Sequence, residues 1–150
     1  VDGSTFIANP NLAEEVFGPY SLIVQFENTE ELQKALRQMP GQLSITLIGN
    51  DDELQSASSI VNIAIQKTGR VLFNGIPTGV EVCHSMVHGG AYPATTDARF
   101  TSVGAESIMR WQRPVCYQNF PDHLLPLPLR NENTMGIYRM IDGQFSNKAL

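Results

Sequence analysis

Residues 43–74 read LSITLIGNDDELQSASSIVNIAIQKTGRVLFN, and this stretch decides the fold class. Leu43-Ser44-Ile45-Thr46-Leu47-Ile48 alternates and then turns wholly apolar, which predicts a strand. Asn50-Asp51-Asp52 predicts a turn that caps a helix. Leu54, Ala57, Ile60, Val61, Ala64 and Ile65 give that helix its buried stripe, and Gly69 ends it. Arg70-Val71-Leu72-Phe73-Asn74 reads as a second strand, closed by Gly75. Upstream, residues 21–26 (Ser-Leu-Ile-Val-Gln-Phe) read as a strand buried on both faces. Asn28 with Glu31 three positions later resembles a capping box, and Leu32, Ala35, Leu36 and Met39 form one apolar helical face before Pro40-Gly41. Residues 21–74 therefore predict strand, helix, strand, helix, strand, the order of βαβ crossovers in a parallel sheet.

The flanks are less regular. Thr5-Phe6-Ile7 reads as a short strand broken by Ala8-Asn9-Pro10-Asn11. Residues 75–101 carry six glycines and prolines at positions 75, 77, 79, 89, 90 and 93 and keep no period, as functional or covered loops do. A short helix is expected over residues 102–111, with Val103, Ile108, Met109 and Trp111 apolar, and a late strand over residues 114–118. Pro121, Pro126 and Pro128 impose extended backbone, and the tail over residues 131–150 leaves room for one helical turn.

Composition narrows the function classes. Hydrophobic residues make up 42% and charged residues 17%, the balance of a folded domain rather than a disordered chain. A net charge of -5 argues against nucleic acid or an anionic membrane as the main partner. No apolar run approaches the roughly 20 residues of a membrane span. Two cysteines, Cys83 and Cys116, read as buried or half-buried thiols of a cytoplasmic protein. The start at Val1-Asp2-Gly3 and the Pro-rich final third read as an excised piece of a longer chain.

Glu14-Glu15-Val16-Phe17-Gly18-Pro19 closely resembles the Glu-(aliphatic)-Phe-Gly-Pro signature of the aldehyde dehydrogenase superfamily. Gly69-Arg70-Val71-Leu72-Phe73-Asn74 resembles the family's Gly-x-(apolar)-x-(apolar)-Asn strand near the active site. The resemblance covers residues 1 to 118. The run 79–95, with Cys83-His84-Ser85-Met86-Val87-His88 and Ala91-Tyr92-Pro93-Ala94, is similar to the branch that oxidises 2-oxoglutarate semialdehyde. So are Trp111-Gln112-Arg113-Pro114-Val115-Cys116-Tyr117-Gln118 and Leu125-Pro126-Leu127-Pro128-Leu129. Ala91-Tyr92-Pro93-Ala94 departs from the commoner family pattern Pro-Phe-Gly-Gly, which fits the narrower branch and weakens any transfer of specificity from typical members.

The resemblance implies a fold and a chemistry. It implies residues 1–113 as the C-terminal part of a catalytic α/β domain, mostly parallel sheet with flanking helices. It implies residues 114–150 as an oligomerisation strand and an irregular Pro-rich tail. In the family a Cys thiolate attacks the aldehyde, hydride passes to NAD or NADP, and a Glu assists hydrolysis of the thioester. Both groups lie N-terminal to the signature in the family, so no catalytic residue is expected in this chain. The expected partners are a small aldehyde, the remainder of the parent chain and further copies of it. The rival from another class is a non-catalytic assembly module or pseudoenzyme of the same fold.

Individual residues carry competing readings. Glu15 matches the carboxylate that binds the nicotinamide-ribose hydroxyls, a diol suited to two acceptor oxygens, and otherwise reads as a solvated loop acid. Phe17 matches the aromatic at the nicotinamide end, or anchors a core. Asn74 stands where α/β sites gather, or merely turns the chain before Gly75. Met86, His88 and Tyr92 line a substrate tunnel in one reading and pack a loop in the other. Arg99 and Arg113 are alternative cations for an oxoacid. Adjacent Cys83 and His84 point opposite ways on extended backbone, which disfavours a nucleophile pair. The spacing of Cys83, His84, His88 and Cys116 matches no tetrahedral zinc pattern.

Overall fold

A computed structural model describes residues 1–77 and 79–150. Contacts within the chain group it into two units, Val1–Gln112 and Arg113–Leu150.

In the first unit, helix α1 spans Gly3–Ala8, where Thr5-Phe6-Ile7 reads as a strand in the sequence. Local capping overrides the β-branched residues. Asp2 accepts hydrogen bonds from the Thr5 amide at 2.6 Å and the Ser4 hydroxyl at 2.8 Å, and these hold its carboxyl down at about 2. Residues 21–26 form no extended strand. The parallel bridge Asp2↔Gln25, with Gly3 N–H donating to the Gln25 carbonyl at 2.7 Å, and a hydrogen bond from the Val1 amino group to the Ile23 carbonyl at 2.9 Å join them to the chain start. They are not buried on both faces either. Leu22, Val24 and Phe26 are half-buried while Ile23 between them is 76% exposed.

Helix α2, Thr29–Gln38, begins where the spacing predicts, with the Asn28 half of the capping box but without the return bond to the Asn28 amide. The Asn28 side chain accepts from the Glu31 amide at 2.9 Å, and the Glu31 carboxylate accepts from the Glu27 amide at 2.9 Å. Leu32, Ala35, Leu36 and Met39 face Phe6, Leu22, Val24 and Phe26 around an apolar cavity of ≈ 260 Å³. Lys67 closes the other end of α2 by donating to the Arg37 and Met39 carbonyls, both at 2.7 Å.

Strand β1, Ile45–Leu47, pairs in parallel with β2, Val71–Phe73, in the register Ile45↔Val71, Thr46↔Leu72, Leu47↔Phe73. An isolated parallel bridge, Gln42↔Thr68, precedes them. The parallel sheet predicted from residues 21–74 thus shrinks, among the described residues, to one three-residue pair with isolated bridges. The crossover is two helices rather than one: α3, Asp51–Ser56, and α4, Ser58–Lys67. Asn50 starts α3 with a reciprocal capping box to Glu53. The break falls at Ala57, inside Ser56-Ala57-Ser58-Ser59, where the Ser56 hydroxyl donates to the Glu53 carbonyl at 2.8 Å and competes with the helical ladder. Ile63 and Ala64 are buried on α4, Ile65 is exposed, and Thr68 rather than Gly69 forms the C-cap.

The described part of residues 75–101 carries no helix or strand. The helix expected over 102–111 is a 3₁₀ helix, Ala105–Trp111, without a buried residue. Gly104 (φ 94°) turns the chain into it, a conformation that strains any side chain.

In the second unit, residues 114–118 form no strand with any described residue. Extended backbone at Pro121 and Pro126 alternates with the 3₁₀ turns Asp122–Leu124 and Leu127–Leu129. The tail is a hairpin and not a helical turn. β3, Arg139–Ile141, pairs antiparallel with β4, Gln144–Ser146, across Asp142 (φ 49°) and Gly143 (φ 80°), the primed turn that matches strand twist. Buried Asn133 supports it, donating to the Ile137 and Asn147 carbonyls and accepting from the Ile137 amide. Arg139 donates to the Arg130, Asn131 and Lys148 carbonyls.

Candidate functional site

A 3₁₀ turn, Pro10–Ala13, ends at Glu14, and residues 14–19 then run without helix or strand. That loop leaves Glu15 exposed, with no hydrogen bond or ion pair from any described residue, and Phe17 98% exposed. Glu14 and Glu15 line two open clefts. One, of ≈ 850 Å³, is lined by Glu14, Glu15, Gly41, Gln42, Pro93 and Ala94 among others. The other, of ≈ 620 Å³, holds Phe17, Tyr20 and Leu22.

The first cleft is bordered by the signature loop and by the turn over residues 91–94, and glycines join that turn to residues 41 and 42. Gly41 N–H donates to the Tyr92 carbonyl at 3.1 Å, and a Cβ on Gly41 would overlap the Ala91 carbonyl. A Cβ on Gly90 would overlap the Gln42 carbonyl, and one on Gly69 would sit 2.6 Å from the Gly89 oxygen. Backbone meets backbone here because no side chain intervenes.

The three tunnel candidates share this loop without forming one wall of either cleft. Tyr92 is 80% exposed, and its peptide bond to Pro93 is cis. His88 is half-buried and held by its backbone, donating to Thr101 Oγ1 at 2.8 Å and accepting from the Ser102 amide and hydroxyl, both at 2.9 Å. Met86 places Sδ 3.9 Å from Arg70 Nη1.

Of the two proposed cations, Arg99 is engaged: its Nε and Nη2 donate to Asp97 at 2.9 and 2.6 Å. These bonds lower the Asp97 carboxyl to about 2 and raise the Arg99 pKa. Arg113 lies exposed in the second unit. Arg70, which the sequence presents only as the first residue of a strand, is half-buried with Nε shielded from solvent and unpaired. Asn74 (φ 48°) works as a clasp. Its Oδ1 accepts from the Gly49 amide at 2.9 Å and its Nδ2 donates to the Gly49 carbonyl at 2.8 Å, extending the β1–β2 pair by a side chain. His84 Nδ1 lies 3.3 Å from Glu106 Oε1, while Cys83 Sγ lies 3.5 Å from Ser85 Oγ, so the neighbours do not pair. Among the described residues no cluster of three or more His, Cys, Asp or Glu could hold a metal ion, and no helix is long and apolar enough to cross a membrane.

No family model matches the chain. Alpha-ketoglutaric semialdehyde dehydrogenase 2 of Azospirillum brasilense is 47% identical over 144 residues, which is 96% of this chain and 27% of that protein. Alpha-ketoglutaric semialdehyde dehydrogenase of Acinetobacter baylyi is 47% identical over 135 residues, 90% of this chain and 26% of that protein. The chain is therefore similar, over nearly all its length, to one stretch of these semialdehyde dehydrogenases, and spans about a quarter of the length of the relatives it matches.

Proposed function

We propose that the protein to which these residues belong is an NAD- or NADP-dependent aldehyde dehydrogenase that oxidises 2-oxoglutarate semialdehyde to its acid. The match of nearly the whole chain to two named dehydrogenases carries this reading. The uncommitted Glu15 carboxylate, beside an almost fully exposed Phe17, supports the cofactor end of it. A lone carboxylate with free acceptor oxygens fits a ribose diol, and a bare aromatic face two residues on fits the adjoining nicotinamide. When bound, the cofactor supplies the hydride acceptor. Glu15 orients it by its hydroxyls, and Phe17 excludes water from its reactive end. Met86, His88 and Tyr92 face the aldehyde.

No turnover is expected from these 150 residues by themselves, because the family's nucleophilic Cys and assisting Glu lie N-terminal to the signature that residues 14–19 resemble. Residues 114–118 serve self-association as an edge segment completed by another copy. The protein works in the cytoplasm without nucleic-acid or membrane partners.

Glu15→Gln in the full-length protein tests the reading, because it keeps shape and removes charge. Charge-assisted hydrogen bonds contribute about 1.5–3 kcal/mol, so the KM for the cofactor should rise about 10- to 100-fold. The KM for aldehyde should hold. An unchanged cofactor KM removes Glu15 from the site. Wild-type protein that reduces no cofactor in the presence of the semialdehyde overturns the dehydrogenase reading.

A further inference from the structure

We infer that Arg70 is a carboxylate-binding residue that takes the anionic end of the oxoacid aldehyde, an inference that rests on the function proposed above. The observation is a half-buried guanidinium left without an anion. Among the described residues Arg70 Nε is shielded from solvent and meets no acceptor, and Nη1 meets only the Met86 thioether at 3.9 Å. A shielded cation is costly unless paired, and a guanidinium is built for a carboxylate. The other half-buried cations meet oxygen acceptors: Lys67 two carbonyls, Arg130 the Leu125 and His123 carbonyls, and Arg139 three through its Nη atoms, although Arg139 Nε is shielded and unpaired like that of Arg70.

Position favours a ligand over a surface role. Arg70 is pinned through its backbone. Its amide donates to Thr68 Oγ1 at 3.3 Å, and its carbonyl accepts from the Ile45 amide at 3.0 Å, at the start of the β1–β2 pair. The side chain reaches Met86, on the loop that carries His88 and Tyr92, that glycines fasten to residues 41, 42 and 69, and whose Pro93 and Ala94 line one cleft with Glu15. An anchor on a strand beside an aromatic-bearing loop would discriminate an oxoacid aldehyde from a neutral one of equal length.

A carboxylate reaching Arg70 has two sources, the substrate or an acidic side chain of the protein outside these residues, and kinetics separates them. In the full-length enzyme, Arg70→Met keeps the stem and removes the cation. KM for 2-oxoglutarate semialdehyde should rise about 10- to 100-fold with kcat held within about twofold, while KM for pentanal, the neutral five-carbon aldehyde, stays put. Arg70→Lys should fall between, because an ammonium cannot pair bidentately. Equal losses on both aldehydes, or none, in either variant would assign Arg70 to an internal ion pair and overturn the proposal. Calorimetric titration with 2-oxoglutarate, the product, reads the same contact without turnover. Weaker binding by Arg70→Met or Arg70→Lys sustains the anchor even if semialdehyde oxidation fails in the wild type. Binding equal to wild type, or none by the wild type, removes it.

Discussion

At the scale of single residues, charge alone is a poor guide, and the arginines show why. Arg99 qualifies by composition as a substrate cation, yet Asp97 two positions earlier takes its fork in a local turn. That pairing has its own pH signature. Hydrogen bonds from Arg99 hold Asp97 at about 2, below its ordinary value, so the stabilisation is complete above the unfolded carboxylate range and vanishes as pH falls through the folded value. Asp97→Asn should therefore lower the thermal midpoint near neutral pH, and the gap to wild type should close between about pH 4 and pH 2. A gap independent of pH would mean that the pair does not persist in solution. Arg70 was invisible beforehand, because a strand residue of either facing reads the same in sequence. Glu15 and Phe17 stand out in the sequence because their motif is contiguous, and the structure shows that motif as a loop.

Among elements, legibility followed locality. The caps at Asn28 and Asn50 were readable because donor and acceptor sit three positions apart, within one turn. Asn50→Ala should cost about 0.5–2 kcal/mol of stability by denaturant titration, and a loss confined within error would show that α3 contributes nothing to the folded unit. Helix α1 was misread because six residues are too few to show a period, and Thr5-Phe6-Ile7 has strand propensity that a cap outweighs. The break at Ala57 left the apolar stripe intact, so periodicity could not reveal it. The hairpin over residues 139–146 was signalled by Asp142-Gly143, which was passed over because the flanking strands are only three residues each.

For the molecule as a whole, few apolar side chains are buried: Phe6, Ala35, Ile63 and Ala64 in the first unit. Phe17, Ile23, Ile48, Ile76, Val82 and Trp111 stand exposed in the same unit. Apolar surface on that scale marks faces that associate. The 150-residue chain expressed alone should bind a hydrophobic dye far more strongly than the full-length enzyme and elute as mixed oligomers in size-exclusion chromatography. A monodisperse monomer with enzyme-like dye binding would show that these faces need no cover. The glycine contacts at Gly41, Gly69 and Gly90 bear on how such an enzyme changes over generations. Where main chain docks on main chain, the joint is indifferent to the lettering of the loop it holds. Under the substrate role proposed for His88 and Tyr92, mutation there would retune which aldehyde is accepted, while drift at the three glycines is closed. A saturation scan of residues 86–94 and the three glycines should return that pattern as tolerated and forbidden columns side by side.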